Sequence, residues 1–252
     1  MTAVLLGVVA SVPNAVFAAE TADATPIVAG DAALAKFELD DAISAYRLAL
    51  SQKPYDYEAS WKLARALLDK STLTKDLTTQ KSLITQGEVL ARRAVQSNPS
   101  DSKGHLYLSI AVGKLALFEG GKRKIELSKE VKTEAEKAIE LNVQEDGAYH
   151  VLGIWHREMA TLNFILKNFA EFFYGDFPPA SLAEAEKNLR KATELVPTAV
   201  IHKVELGITL RIARKPTEAK TILEDALKMP KTWVTDDYYK ALATENLARL
   251  KK

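Results

Sequence analysis

The sequence lacks cysteine, has few glycines and prolines, and carries almost no excess charge. Without cysteine the chain can form no disulfide, no thiolate metal site and no cysteine nucleophile. Only 11 glycines and 9 prolines occur in 252 residues, and the dominant residues are Ala, Leu, Lys and Glu, a composition that favours helix. A net charge of +1 gives no reason to expect a nucleic-acid partner. Hydrophobic residues make up 47%, which is typical of a globular protein.

The N-terminus has the pattern of an export signal. Residues 4–17 are apolar, Ala18 and Ala19 follow, and Glu20 is the first charged residue. A short apolar stretch followed by small residues predicts signal-peptide cleavage after Ala18, although no Lys or Arg precedes the stretch here. A membrane-spanning helix is disfavoured because the stretch is shorter than about 20 residues. The alternative is a buried or frayed N-terminal segment.

Five segments share the pattern of an amphipathic helix that has an alanine near its end and is followed by a proline or an equivalent stop. The alanines are Ala49, Ala94, Ala138, Ala192 and Ala226, and the stops are Pro54, Pro99, Val143, Pro197 and about Lys231. Small residues let two helices cross closely, and proline ends a helix. This pattern is typical of the second helix, helix B, of a tetratricopeptide repeat.

The first helix of each repeat, helix A, is predicted after each stop. Its leucine position is filled by Leu63, Leu108, Leu152 and Leu206, and its small position by Ala64, Ser109, Gly153 and Gly207. The intervals between stops are 45, 44, 54 and 34 residues, so the first three exceed the usual period of about 34 and place long insertions between helix A and helix B. After the last stop, residues 235–250 are predicted to form a capping helix with Thr235 as its N-cap.

The sequence therefore predicts an all-α, tetratricopeptide-like solenoid of about five helix pairs with a C-terminal capping helix. We expect residues 1–18 to be the signal peptide, residues 19–29 a short linker, and residues 30–252 a single solenoid domain. The export signal predicts a location in the periplasm or on the periplasmic face of a bacterial cell envelope.

Parts of the sequence resemble the regulator of microtubule dynamics family. The resemblance is carried by residues 121–142, by Gly153-Ile-Trp155, and by residues 174–181 with their Pro-Pro-x-Ser turn, and it extends over roughly residues 30–250. It implies a tetratricopeptide fold. Eukaryotic members have been linked to microtubules and, in one member at organelle contact sites, to phospholipid binding and transfer.

Two insertions contain the candidate ligand or partner surface. A stripe of aromatic residues, which includes Phe169, Phe172 and Phe173, lies on one face of a predicted helix and is either an apolar wall for a lipid tail or partner helix, or core packing. Lys122, Arg123 and Lys124 follow a Gly-Gly turn and either hold a phosphate or acidic peptide, or lie on a solvated surface. Trp155 and His156 complete the candidate surface, with helix packing as the alternative interpretation.

No enzyme signature is present. His150 and His156 are six residues apart, so they do not share a helix face as metal ligands at i and i+4 would. The sequence contains no phosphate-binding glycine loop or serine elbow, and we expect no catalytic residue, metal or cofactor. The predicted function is a scaffold that binds a protein or peptide partner in the concave groove of the solenoid. The alternatives are a phospholipid-binding or lipid-transfer module, with peripheral membrane contact, and a cryptic enzyme.

The signal-peptide interpretation predicts that the mature protein begins near Ala19, because cleavage follows the small residues. N-terminal sequencing of protein purified from an envelope fraction of its source organism checks this. Recovery of intact Met1 from a cytosolic fraction would show that the apolar segment is not a cleaved signal.

Overall fold

The computed structural model describes residues 25–161 and 180–250, which contain eleven α-helices, one short 3-10 helix and no strand. The helices are α1 (Pro26–Ala35), α2 (Leu39–Gln52), α3 (Tyr57–Leu73), α4 (Leu77–Ser97), α5 (Ser102–Leu115), α6 (Gly121–Leu141), α7 (Asp146–Ala160), α8 (Leu182–Leu195), α9 (Val200–Ile212), α10 (Pro216–Lys228) and α11 (Asp236–Arg249). The 3-10 helix, Ala116–Phe118, lies between α5 and α6.

The helices pack as five successive pairs followed by a single last helix. Within each pair the two helices lie against each other, and the first helices of successive pairs also contact one another: α3 with α5, α5 with α7, and α7 with α9. The last helix, α11, packs against both α9 and α10. The structure thus confirms the predicted solenoid of five helix pairs with a capping helix.

Local sequence signals set the helix ends. Several helices begin after a side chain that accepts a backbone N–H of the first turn and so satisfies one of its free donors. These contacts are Asp56 with Ala59 at 3.0 Å, Asp76 with Thr79 at 2.7 Å, Asp101 with Lys103 at 2.9 Å, and Ser181 with Glu184 at 3.1 Å. The predicted prolines lie just after the ends of second helices.

The predicted small residues lie where the two helices of a pair cross. The five alanines of the second helices are buried, and the four leucines of the first helices are between 2% and 6% exposed. A Cβ atom added at Gly153 would lie 2.5 Å from Cγ of Leu189, and one added at Gly207 would lie 2.6 Å from Cγ of Leu223. A larger residue at either glycine would therefore push the helices apart.

The predicted insertions are helical where the structure describes them. Helices α4 and α6 each contain 21 residues, whereas α2 in the first pair contains 14. The extra residues thus lengthen helices instead of forming long loops, because both insertions have good helix formers and an amphipathic pattern. The third insertion covers residues 162–179, which lie outside the described residues.

Both ends of the solenoid differ in detail from the sequence prediction. The first helix begins at Pro26 and not at residue 30, because Thr25 caps it and Pro26 suits the first helical position. Thr235 precedes α11 but makes no capping hydrogen bond through its side chain. Instead, the Asp236 carboxylate accepts the backbone N–H groups of Thr232 and Trp233 at 2.8 and 2.9 Å.

No helix in the described parts of the chain is long and apolar enough to cross a membrane. The predicted signal peptide and most of the predicted linker precede the described residues.

The close helix crossing predicts that Gly153→Ala destabilises the protein by about 1–3 kcal/mol, because the added methyl overlaps Leu189 and lies 3.1 Å from the backbone oxygen of Ala185. The control is Gly113→Ala in α5, where the nearest atom would lie 3.5 Å away, an ordinary contact. There the better helix propensity of alanine should stabilise by up to about 1 kcal/mol. Urea unfolding followed by circular dichroism measures both, and equal effects would contradict the proposed crossing.

The inner surface as candidate partner-binding site

The first helices of the repeats, together with α11, line one side of the solenoid, which we call the inner surface. Charged and aromatic side chains from α3, α5, α7, α9 and α11 meet there. This arrangement follows from the register of the first helices, because their leucine and glycine faces are already used against the second helices. Their remaining faces are left for contacts between successive first helices.

A tryptophan from the C-terminal end of the solenoid contacts α3 across the inner surface. The indole N–H of Trp233 donates to Oδ2 of Asp69 at 3.0 Å, and the guanidinium carbon of Arg65 lies 3.7 Å from the ring centroid of Trp233. Trp233 and Asp69 are 164 positions apart in the sequence. Repeats in a solenoid otherwise contact their neighbours, so this contact bridges its two ends.

The carboxylate of Asp69 is enclosed by other polar groups of the inner surface. Burial raises the pKa of Asp69 to about 6, although the charges of Arg65 and Lys114 and the hydrogen bond from Trp233 act in the opposite direction. Burial also lowers the pKa of Lys114, whose ammonium donates to Oγ1 of Thr72 at 2.7 Å. Each charge is therefore costly to bury and is held by a specific partner.

A buried ion pair joins the fourth and fifth repeats. The guanidinium of Arg157 donates to Glu205 at 2.6 Å and to Oγ1 of Thr209 at 3.3 Å. Both charged residues are only 7% exposed. Loss of one partner would leave the other charge buried and unpaired, which is strongly destabilising.

Two histidines and an aspartate form a second contact between these repeats. Nε2 of His202 lies 2.7 Å from Oδ2 of Asp146, and its Nδ1 lies 3.0 Å from Nδ1 of His150. Burial and the neighbouring His202 hold the pKa of His150 well below its usual value. If a neutral His202 donates through Nε2 to Asp146, its Nδ1 accepts a hydrogen bond from the Nδ1–H of His150. The described residues contain no cluster suited to hold a metal ion.

Aromatic side chains form a flat part of the inner surface beside the Trp233 contact. The rings of Trp61 and Tyr107 stack in parallel, with centroids 5.6 Å apart. Tyr107 is buried, whereas Trp61 remains partly exposed. Nearby, Lys103 pairs with the buried Glu145 at 2.8 Å, and Ser102 donates to the same carboxylate at 2.7 Å.

The structure places Trp155 and His156 between helices. The indole of Trp155 is 4% exposed and donates to the backbone oxygen of Ser128 at 2.8 Å. The ring of His156 meets Trp155 edge to face and is also buried, and this burial lowers its pKa. These positions agree with the helix-packing interpretation, and binding of a ligand at either residue stays a prediction.

The predicted cationic cluster lies at the start of α6 and is accompanied by acidic partners. Arg123 and Lys122 approach the carboxylate of Glu126 at 3.4 and 3.8 Å. Exposed pairs of this kind contribute little to stability and reduce the local positive field. Lys124 lies on the same helix. Phe169, Phe172 and Phe173 fall within residues 162–179, outside the described residues, so their proximity to these cations stays a prediction.

No signal in the sequence identified α3 as the partner of Trp233. Trp233 lies in the non-helical segment before the capping helix, and nothing in the local pattern of residues 229–235 connects it with Arg65 or Asp69. A partial signal was available, because an isolated tryptophan next to the last repeat needs a partner for its indole N–H.

Two shallow depressions lie on the surface of the solenoid. One, of about 560 Å³, is lined by α4 and Phe118, and the other, of about 730 Å³, is lined mostly by charged side chains of α8. Both are open to solvent. The larger depression contains the ion pairs of Glu186 with Arg190 and Lys215 at 2.8 Å each, which suits a polar contact better than an apolar ligand.

The raised pKa of Asp69 predicts a pH-dependent contribution to stability. Folded Asp69 holds its proton up to about pH 6, whereas an unfolded aspartate loses it near 3.9. The native state therefore binds more protons between these values, and this contribution to stability falls as pH rises from about 4 to 6. The free energy of unfolding of the wild-type protein, relative to that of Asp69→Asn, should therefore fall by up to about 3 kcal/mol across this range.

Urea unfolding of both proteins at several pH values measures this difference. The control is Asp76→Asn: hydrogen bonding to Thr79 lowers the pKa of this exposed cap, so its contribution stays constant above pH 5. A constant difference between wild type and Asp69→Asn from pH 4 to 7 would contradict the raised pKa.

Comparison with known proteins gives the same architecture and a family. A protein-family model described as regulator of microtubule dynamics protein 1-3 matches residues 29–251. Regulator of microtubule dynamics protein 3 from Xenopus laevis is 31% identical over 140 residues, which cover 56% of this chain and 30% of the relative. Regulator of microtubule dynamics protein 1 from Mus musculus is 30% identical over 163 residues, which cover 64% of this chain and 53% of the relative.

The chain thus spans between about a third and a half of the length of these curated relatives. The crystal structure of a thermophilic TPR protein from Thermus thermophilus matches with a TM-score of 0.63 at 18% identity, and the match covers 87% of this chain and 97% of that one. This likeness shows a tetratricopeptide-type fold. Since the family model covers nearly the whole solenoid, the chain belongs to the regulator of microtubule dynamics family.

Proposed function

We propose that this protein is a non-enzymatic scaffold that binds a non-helical segment of a partner protein on its inner surface. One observation carries the proposal: α3 already holds a non-helical segment of the same chain, residues 229–235, through Trp233. A surface that holds one such segment through side-chain contacts has the chemistry to hold another.

The inner surface is also organised before any partner arrives. Its charged groups are fixed by pairs between repeats, such as Arg157 with Glu205 and His202 with Asp146. Binding to a fixed surface costs less conformational entropy than binding to a mobile one. Trp61 offers a partly exposed ring of the kind that often dominates binding energy at interfaces.

The contacts between polar side chains of α7 and α9 support the non-enzymatic part of the proposal. Across α7 and α9, His150 and Asp146 contact His202, and Arg157 contacts Glu205. Groups held in this way fix the packing of the helices, and the same contacts occupy the atoms that a substrate would need.

The finer parts of the function remain predictions. A lipid-binding role depends on Phe169, Phe172 and Phe173, and a location in the cell envelope depends on residues 1–18. Both sets lie outside the described residues. The relatives are named as regulators of microtubule dynamics, and this chain spans only part of their length.

Site-specific photocrosslinking tests the proposed binding surface. We would replace Trp61 with p-benzoylphenylalanine, irradiate cells of the source organism and identify adducts by mass spectrometry. We expect one recurrent protein adduct, crosslinked through the same peptide of the partner each time, because Trp61 lies on α3 one helical turn from Arg65, which contacts Trp233.

The control carries the same crosslinker at Val89, which is 52% exposed on α4, a second helix of its pair. It should not give this adduct. Equal labelling from both positions, or none from Trp61 in a folded protein, would contradict partner binding on the inner surface.

A further inference from the structure

Residues 229–235, which we call the bridging segment, join α10 to α11 and pass over the N-terminal half of the solenoid. Besides Trp233, the ammonium of Lys231 lies 5.0 Å from the ring centroid of Phe37, in the turn between α1 and α2. Val234 and Trp233 also pack against the large core formed by the first four repeats. The segment therefore contacts two N-terminal repeats through side chains that lie close together in the sequence.

The contact on α3 fits the chemistry of an indole. Arg65 presents a delocalised cation to the face of the ring, where the π-electrons attract it. Asp69 accepts the N–H at the ring edge with a charged or polar oxygen. Phenylalanine offers the ring without the N–H, and tyrosine carries its donor at another position. The pair Arg65 and Asp69, four residues apart on one helix, thus selects tryptophan over other aromatic residues.

The bridging segment resembles a bound peptide in two respects: it contains no helix, and Trp233 remains partly exposed although it packs against the core. Its turn is local, because Asp236 accepts the backbone N–H groups of Thr232 and Trp233. Helix α11 itself packs against α9 and α10, so release of Trp233 from α3 leaves those contacts in place.

We propose that Arg65 and Asp69 form a tryptophan-recognition site for the partner, and that Trp233 occupies this site within the chain until a tryptophan of the partner displaces it. This inference rests on the proposed function and specifies it: the partner segment is non-helical and carries a tryptophan. A tethered segment competes at an effective concentration of about millimolar. Occupation of the site by Trp233 therefore weakens partner binding. The partner must then be present at a higher concentration, or bind more tightly, to displace Trp233.

A peptide with the sequence of residues 227–237 serves as the probe. It includes Trp233 and Asp236, so it can form the same turn. Its binding to the full-length Trp233→Ala variant, measured by fluorescence anisotropy, should be at least tenfold tighter than its binding to the wild-type protein. In the wild type the internal segment competes for the site, whereas in the variant the site is vacant.

Two matched changes test the chemistry of the site. The probe with alanine in place of its tryptophan should bind at least tenfold more weakly to the Trp233→Ala variant. The additional substitution Arg65→Gln should weaken binding of the original probe to a similar degree. Arg47→Gln, which removes one positive charge from an exposed position on α2, should leave binding unchanged.

A second measurement applies if Trp233→Ala does not fold. The protein contains three tryptophans, and 5-fluorotryptophan gives a fluorine resonance for each, with Trp233 assigned through Trp233→Phe. Millimolar probe should move the Trp233 resonance of the wild-type protein towards its solvent-exposed position. The resonance of Trp155, which is buried between helices, should stay in place.

A probe that fails to bind the folded variant, or binds equally well without its tryptophan or without Arg65, would overturn the proposal. So would a Trp233 resonance that does not respond to the probe. These outcomes differ from failure of the proposed function, because crosslinking through Trp61 reports any partner on the inner surface, whether or not it carries a tryptophan.

Discussion

The close crossing of the two helices in each repeat is the constraint on which the rest of this structure depends. At Gly153 and Gly207 there is no room for even one additional methyl group, because Leu189 and Leu223 occupy that space. The same crossing is made by buried alanines on the second helices. When two helices approach this closely, their relative angle is fixed by packing, and a repeated angle produces a solenoid. The first helices α3, α5, α7 and α9 then contact one another in succession and form the inner surface.

The inner surface unites polar groups whose burial is costly unless each has a partner. Buried pairs such as Arg157 with Glu205 contribute little net stability, yet a shift in helix register would leave their charges unpaired, so they favour one arrangement of neighbouring repeats. The contact of Trp233 with Arg65 and Asp69 adds a bridge between the two ends of the stack. In a linear array the stability of each repeat depends on its neighbours alone. In this protein, release of Trp233 from Arg65 and Asp69 would expose that part of the inner surface to a partner without separating the helix pairs.

The sequence by itself determined the architecture, because helix periodicity, small crossing residues and stop signals are local and repeat along the chain. Gly153 and Ala192 could be assigned to a helix crossing from their spacing alone. The same local signals were ambiguous for function: Lys122 and Arg123 form a cationic run in the sequence, but Glu126 follows one helical turn later, and the structure pairs it with both. The spacing also left open whether an insertion extends a helix or forms a loop, and the structure shows that α4 and α6 are lengthened.

Tertiary structure alone decided the candidate site. The inner surface combines residues from five helices, and the distance between them depends on the angle accumulated from repeat to repeat. No local pattern relates Trp233 to Asp69, because the contact closes 164 residues of chain and exists only after every intervening pair has packed. The raised pKa of Asp69 also depends on the folded structure, since desolvation by burial is its largest cause. Sequence spacing records which residues share a helix face, whereas the packing of all the repeats determines which faces meet.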